Sequence, residues 1–344
     1  MTADDWPAAL IPYREAIEAG LRDALTCPLP ALTAYYDMMH YHLGWVDAAG
    51  QPAQAASGKR LRPLLCLLAC QSTGGPWPQA LPVAVAVELL HNFSLIHDDV
   101  EDGDAERRHR PTVWKVWGVP QAINAGDGMF ALAHQALQKL AAEDDILVAL
   151  YQHLDAACLA LCHGQFLDMS FETRLDVTVA DYVHMVLGKT ASLFAAAVEM
   201  GALLGVDGPA TAARYRAFGI ELGLAFQIRD DVLGIWGDPA LTGKPAANDL
   251  RQRKKSWPVL HALEHATGPA SQALWSFYRQ AQPGEADVAR VLDILDDLGA
   301  RVQAEALVAE YHDRALAALD QAAGREPAWG WLHTLTQTLL GREM

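Results

Sequence analysis

The sequence predicts an all-α protein of roughly ten or more helices. Two observations carry that prediction. Almost every long segment repeats its apolar residues with the helical period, and no segment shows convincing β alternation or an internal repeat. In chain order, "GKRLRP" at 58–63 leads into an apolar helix. The next segment, "ALPVAVAVELLHNFSLIHDD", is apolar on nearly all faces, as the central helix of a large bundle is. "TVADYVHMVLGKTASLFAAAVEMGALLG" opens with Thr178 and Asp181 at capping-box spacing and closes at Gly205. Ala-rich helical patterning continues through "GPATAARYRAFGIELGLAFQIRDDVLGIW". Pro and Gly clusters at 72–78, 207–209, 237–247 and 283–285 read as loops, none long enough for a clear linker. Residues 1–344 therefore read as a single domain.

With 344 residues, 51% of them hydrophobic, the chain can bury a large core. Its net charge of −16 argues against nucleic acid as a partner, since duplex binding rests on neutralising phosphates with Lys and Arg. The opening "MTADDWPAAL" lacks the basic and apolar regions of a signal peptide. No uninterrupted apolar run reaches the roughly 18 residues of a membrane span. The longest, such as "SLFAAAVEMGALLGV", is broken by Glu199. The expectation is a soluble cytoplasmic protein with no membrane span. Cys66 and Cys70 share a helix face, as do Cys158 and Cys162, while His153 and His163 fall at no helical ligand spacing from either pair. The cysteines read as small buried apolar residues rather than a metal site or disulfides.

The stretch "HNFSLIHDDVEDGDAERRHRP" closes an apolar helix with acid and then adds arginines. Asp98 and Asp102 lie one turn apart on one face, and Asp99, offset by about 100°, flanks them. Like charges at this spacing cost a few tenths of a kcal/mol per pair on a solvated helix, and more on an apolar one unless a cation sits between them. An oxygen-only ligand set suits Mg²⁺. Far downstream, "FQIRDDVLGIWGD" places Asp230 and Asp231 after a second apolar helical run. Two such pairs read as two walls of one metal-holding cavity, with a di- or triphosphate completing the coordination. The basic residues agree. "GKRLRP" offers Lys59, Arg60 and Arg62. Arg107, Arg108 and Arg110 follow the first acidic motif, and Lys244, Lys254 and Lys255 follow the second. Arg forks and Lys point charges match phosphate oxygens. There is no Walker loop, GxGxxG or kinase signature. Apolar helices with metal and phosphate ligands at their mouth suggest an amphiphilic substrate, diphosphate at one end and hydrocarbon at the other.

Five motifs in order, "GKRLRP", "LLHNFSLIHDDVEDGDAERRHRPTVW", "GKTA", "FQIRDDVLGIWGD" and "GKPAANDLRQRKKSW", resemble the trans-type polyprenyl diphosphate synthases, from about residue 50 to 260. The resemblance implies an isoprenoid-synthase bundle around a deep central cavity, usually in a homodimer. It implies three Mg²⁺ ions, two held by Asp98, Asp99 and Asp102 and a third by the motif that begins with Asp230 and Asp231. It places isopentenyl diphosphate on Lys59, Arg62, His91 and Arg108, and the allylic diphosphate on Arg107, Lys189, Lys244 and Lys254. Thr190 and Gln227 would face the developing cation. The implied chemistry is ionisation of an allylic diphosphate, attack by the double bond of isopentenyl diphosphate and loss of a proton, with water excluded.

Two positions depart from the family pattern. Gly234 stands where the second motif usually has its third aspartate, and Asp238, four residues on, is the nearest replacement, beyond Gly237. His109 stands where Gly usually follows the paired arginines. The resemblance implies that Phe93 and Ser94, five and four residues before Asp98, set product length, with geranylgeranyl diphosphate expected and farnesyl diphosphate the alternative. A terpene cyclase of the same fold has no need of the isopentenyl diphosphate residues, all of which are present. An inactive regulatory subunit should have lost aspartates that this chain keeps.

Overall fold

The computed structural model describes residues 7–53, 55, 58–238, 246–280 and 283–340. It is all-α, as predicted. The helices are α1 (Ile11–Ala24), α2 (Thr33–His42), α3 (Leu61–Ser72) and α4 (Leu81–Glu101), then, after a short hairpin, α5 (Val113–Trp117), α6 (Val119–Leu137), α7 (Asp144–Thr173) and α8 (Val179–Val186). α9 (Ser192–Leu203), α10 (Pro209–Trp236), α11 (Asn248–Arg251), α12 (Trp257–His265), α13 (Gly268–Arg279), α14 (Glu285–Asp297), α15 (Ala300–Ala322) and α16 (Ala328–Leu340) complete the chain. Pro12, Pro82, Pro120, Pro258 and Pro269 sit in the first turns of α1, α4, α6, α12 and α13, where the missing N–H has no helical partner to lose. The Thr178/Asp181 capping box is formed, with Asp181 N donating to Thr178 Oγ1 at 3.1 Å and Thr178 N to Asp181 Oδ2 at 3.0 Å.

The chain divides into two compact units. One comprises Met1–Cys158, Ala196–Arg216 and Ala322–Leu332, the other Leu159–Ala195, Ala217–Gln321 and His333–Met344. In the first, α4 is the core, as its all-round apolarity predicts. Every residue from Val83 to Leu90 is buried, and α1, α3 and α6 pack on it. After α4 the chain makes a hairpin, β1 (Glu106–Arg107) antiparallel to β2 (Arg110–Pro111). Its two-residue turn, Arg108 and His109, has both φ angles positive (53° and 61°), the signature of a type I′ turn. Strands of two residues are too short to show β alternation, so the sequence gives no sign of them. In the second unit, α8 continues into a π-helical turn, Leu187–Ala191, that carries Lys189 and Thr190. Such bulges re-aim side chains along an otherwise regular helix. Gly164 of α7 lies against this turn so closely that a Cβ there would come within 2.1 Å of the Lys189 nitrogen.

The run-length argument behind the membrane expectation needs correction. Three helical stretches, Trp77–Glu101, Asp144–Thr173 and Val179–Leu203, are long and apolar enough to cross a membrane by length and composition. Counting uninterrupted apolar runs misses them, because each tolerates an occasional charge. In the first and third, 67% and 72% of the apolar window is buried inside the protein, against 28% for the second.

Candidate active site

In the first unit, α4 delivers Asp98 in its last turn, and Asp102 caps it, its N–H donating to Asp98 O at 2.8 Å. Acidic side chains at a helix C-terminus oppose the macrodipole, at about 0.3–1 kcal/mol each. With Glu101 beside them, this end carries an unfavourable charge load that a bound cation relieves. Asp98 is half-buried and Asp102 exposed. Asp99 is buried, and its Oδ1 accepts a 2.7 Å hydrogen bond from Arg107 Nε, while its buried Oδ2 has no partner. Burial lifts its carboxyl to about 6, against the pull of Arg107. Among the described residues no three acidic, histidine or cysteine side chains form a closed metal cage. Two accessible carboxylates one turn apart, with an unsatisfied carboxylate oxygen beside them, still fit a hard, partly hydrated cation such as Mg²⁺.

The hairpin brings the basic groups to the same unit. Arg108 projects from the type I′ turn against Gly58 of "GKRLRP", where a Cβ would lie 2.8 Å from Arg108 Nη2. Its Nη1 is buried without a partner, and burial, then Arg60 and Arg107, push its pKa down to about 10. Arg62 is likewise lowered to about 10 by burial, and its Nη1 lies 3.3 Å from His91 Nε2. The His91 ring is held neutral by burial and then by Arg62, Arg108 and Arg107, so its Nε2 accepts. Lys59 is exposed. A small, partly open recess is lined by Tyr41, His42, Asp99, Arg107, Arg108 and Arg110, among others. Two arginines grouped with these by sequence have other work. Arg60 turns inward, donating from Nε to Glu18 Oε1 at 2.7 Å and from Nη1 to Glu88 Oε1 at 2.8 Å. Arg110 donates to Tyr41 O and Val46 O and covers the Tyr41 ring at 3.9 Å.

In the second unit, Asp230 is exposed and Asp231 buried. The Asp231 carboxylate accepts from Tyr182 Oη (2.6 Å), the Trp257 N–H (3.0 Å) and Gln227 Nε2 (3.1 Å). Burial still lifts it to about 7. Thr190 Oγ1 donates to Gln227 Oε1 at 2.7 Å, which joins Thr190, Gln227 and Asp231 in one chain of hydrogen bonds. Lys189 Nζ pairs with Asp168 Oδ2 at 2.5 Å. Lys254 is exposed, whereas Lys255 is buried and donates to the carbonyls of Phe171 and Glu172 at the end of α7. Lys244 lies outside the described residues. α10 ends at Trp236, so Asp238 has left the helix. The space beside Gly234 belongs to Asp249 of α11, whose Oδ2 would lie 2.2 Å from a Cβ on Gly234.

The polyprenyl synthetase family model matches residues 44–295. The chain belongs to the polyprenyl synthetase family. It is 43% identical over 306 residues to a geranylgeranyl diphosphate synthase of Mycobacterium tuberculosis, covering 89% of this chain and 86% of that one. A (2E,6E)-farnesyl diphosphate synthase of the same organism is 45% identical over 237 residues, covering 69% of this chain and 65% of the relative. The crystal structure of a polyprenyl synthetase from Streptomyces coelicolor A3(2) superposes with a TM-score of 0.88 at 37% identity, covering 96% and 98% of the two chains. The protein is thus a prenyltransferase with the all-α isoprenoid synthase fold. Sequence reading does not single out Asp168, Tyr182 or Glu88, whose side chains hold Lys189, Asp231 and Arg60. Asp168 is legible in principle as a charge on an otherwise apolar stretch of α7. Glu88 is legible in the same way on α4, whereas the partner of Tyr182 lies 49 residues away, so no spacing betrays it.

Proposed function

We propose that the enzyme condenses isopentenyl diphosphate with an allylic diphosphate, head to tail, to make geranylgeranyl diphosphate. The observation that carries this is Arg108, half-buried, with one guanidinium N–H closed off from solvent and unpartnered, in a recess beside an aspartate-rich helix end. A buried N–H without an acceptor is costly, and a diphosphate oxygen supplies one. A cyclase that ionises one substrate has no use for this second basic site. Lys59, Arg62, His91 and Arg108 bind the isopentenyl diphosphate. Arg107, Lys189, Lys244 and Lys254 contact the allylic one, with Thr190 and Gln227 toward its developing cation. Asp98, Asp99 and Asp102 hold two metal ions and Asp230 a third. Asp231, with three donors already on its carboxylate, positions Gln227. Mg²⁺ held by these carboxylates would supply positive charge against the departing diphosphate. The arginines and lysines orient both diphosphates, and the apolar helices exclude water. Farnesyl diphosphate as product is the second reading, favoured by the 45% identity to a farnesyl diphosphate synthase.

The matched region, 44–295, runs through both compact units, which supports one catalytic domain over the chain. A soluble cytoplasmic homodimer fits the burial of two of the three long apolar helices. It also fits an exposed apolar stripe on α7, where Leu159 (58% exposed), Phe166 (70%) and Met169 (40%) recur at helical spacing. The test is to incubate pure protein with dimethylallyl diphosphate, isopentenyl diphosphate and Mg²⁺ and to size the products. A twenty-carbon diphosphate is expected, lost on chelation and in a folded Asp98→Ala variant. Turnover by Asp98→Ala near the parent rate would show that the metal assignment is wrong.

A further inference from the structure

We propose that His42 is an additional diphosphate ligand of the basic pocket, its imidazole Nε2 hydrogen-bonding a phosphate oxygen alongside Arg108. His42 is the last residue of α2 and lines the pocket with Asp99, Arg107, Arg108 and Arg110. Its Nε2 is closed off from solvent and has no hydrogen-bond partner in the protein. Buried polar atoms are almost always paired, so an orphan on a residue that lines this recess points to a missing partner. Two donors of the same cluster share that state, Nη1 of Arg108 and Nη2 of Arg60.

The surroundings decide what the ligand is. Arg108, Arg107 and Arg60 act on the His42 ring, the Asn92 side chain is within hydrogen-bonding reach of it, and the His91 ring stands beside it. Arg107 is committed to Asp99, and Arg60 to Glu18 and Glu88, while Glu88 and Asp99 act on Arg108 only from a distance. Arg108 Nη1 is a donor and a neutral Nε2 can accept, yet neither atom is bonded. A direct bond would have closed the pair. An oxyanion between them satisfies both, taking one N–H from the guanidinium and one from the imidazole, in the tautomer or protonated form that puts hydrogen on Nε2. Arg62 pairs with His91 in the same cluster, so the arrangement repeats, one guanidinium with one imidazole. A diphosphate, with its several strong acceptor oxygens, matches two such pairs. A carboxylate offers only two oxygens.

This assignment rests on the proposal that the Arg108 pocket receives isopentenyl diphosphate, and the experiment separates the two. Inorganic pyrophosphate binding to the full chain without metal is followed by calorimetry, and steady-state KM is measured for both substrates. His42→Leu should weaken pyrophosphate binding tenfold or more and raise KM for isopentenyl diphosphate by a similar factor. KM for the allylic substrate should stay within threefold. His42→Gln, whose amide can offer an N–H from nearly the same place, should recover much of the loss. That partial rescue also serves if the leucine variant folds poorly. Weakened pyrophosphate binding in a chain that makes no prenyl product would keep His42 as a ligand and remove the assigned reaction. Parent-like pyrophosphate affinity in both variants overturns the inference. So does an equal rise in KM for the two substrates.

Discussion

His109 holds a left-handed backbone (φ 61°) with a Cβ and ring, at the position where the family pattern implies Gly. For most L-residues this region costs about 1–2 kcal/mol, from which the extra unfolded-state entropy of Gly must be subtracted. His109→Gly should therefore stabilise the protein by roughly 0.5–1 kcal/mol, read as a shift in urea midpoint at unchanged slope. No shift would mean that the turn carries no strain. Gly234 makes the opposite case. Restoring an aspartate there drives a carboxylate into Asp249, whose Oδ2 sits 2.2 Å from the new Cβ. Gly234→Asp should cost at least about 2 kcal/mol through overpacking and like charge, and should lower turnover rather than improve it. A gain in activity would place the third aspartate back in the motif. Sequence spacing resolves some of these residues and not others. Asp98 and Asp102 are legible because one helical turn relates them. Lys59, Arg60 and Arg62 look alike in "GKRLRP". Only the distant carboxylates Glu18 and Glu88 show that Arg60 braces the core, so losing either member of the buried Arg60–Glu88 pair costs about 3–5 kcal/mol.

Long elements were legible and short ones were not. α4 and the capped start of α8 follow from apolar period and from Thr178 with Asp181. The hairpin at 106–111 and the π turn at 187–191 do not, because four strand residues and one inserted helical residue leave no periodic trace. Both carry site residues: Arg107 and Arg108 on the hairpin, Lys189 and Thr190 on the turn. The proposed control of product length belongs to α4 and its partner α6. Ser94 is buried, its hydroxyl tied to His91 O at 2.8 Å. Phe93 points to α6, where its ring meets Phe130 at 5.4 Å, with His97 at 4.9 Å on its other side. An aromatic layer between two helices can act as a floor for a growing chain. Phe93→Ala opens it and should lengthen the product. Ser94→Phe fills space closer to the metal-binding end and should shorten it. Product sizing by chromatography checks both, and unchanged lengths in variants that fold and turn over would remove these residues from length control.

At the scale of the molecule, the all-α class follows from the helical period that nearly every segment shares. The division into two compact units does not. All of its borders, at 158/159, 195/196, 216/217, 321/322 and 332/333, fall inside α7, α9, α10, α15 and α16, whereas sequence reading looks for borders in Pro- and Gly-rich loops. Self-association is the remaining whole-molecule question, and α7 supplies the argument. Its apolar window is only 28% buried, in a chain whose other two long apolar helices bury at least two thirds of theirs. Leu159, Phe166 and Met169 follow one another at seven and three residues, so they lie on one face, and the exposed Cys162 falls between the first two. A stripe with this near-heptad spacing suits packing against another helix, and a two-fold pairing with a second copy gives it an identical one. Burying each large side chain contributes on the order of 1–2 kcal/mol. A carboxylate in the middle of the seam would have to be buried unpaired on both sides. The parent should therefore run in light scattering at twice the 37.3 kDa of one chain, and Phe166→Glu should shift it toward the single-chain mass at micromolar concentration. A parent that is monomeric, or a Phe166→Glu variant that stays dimeric, would move the interface off α7.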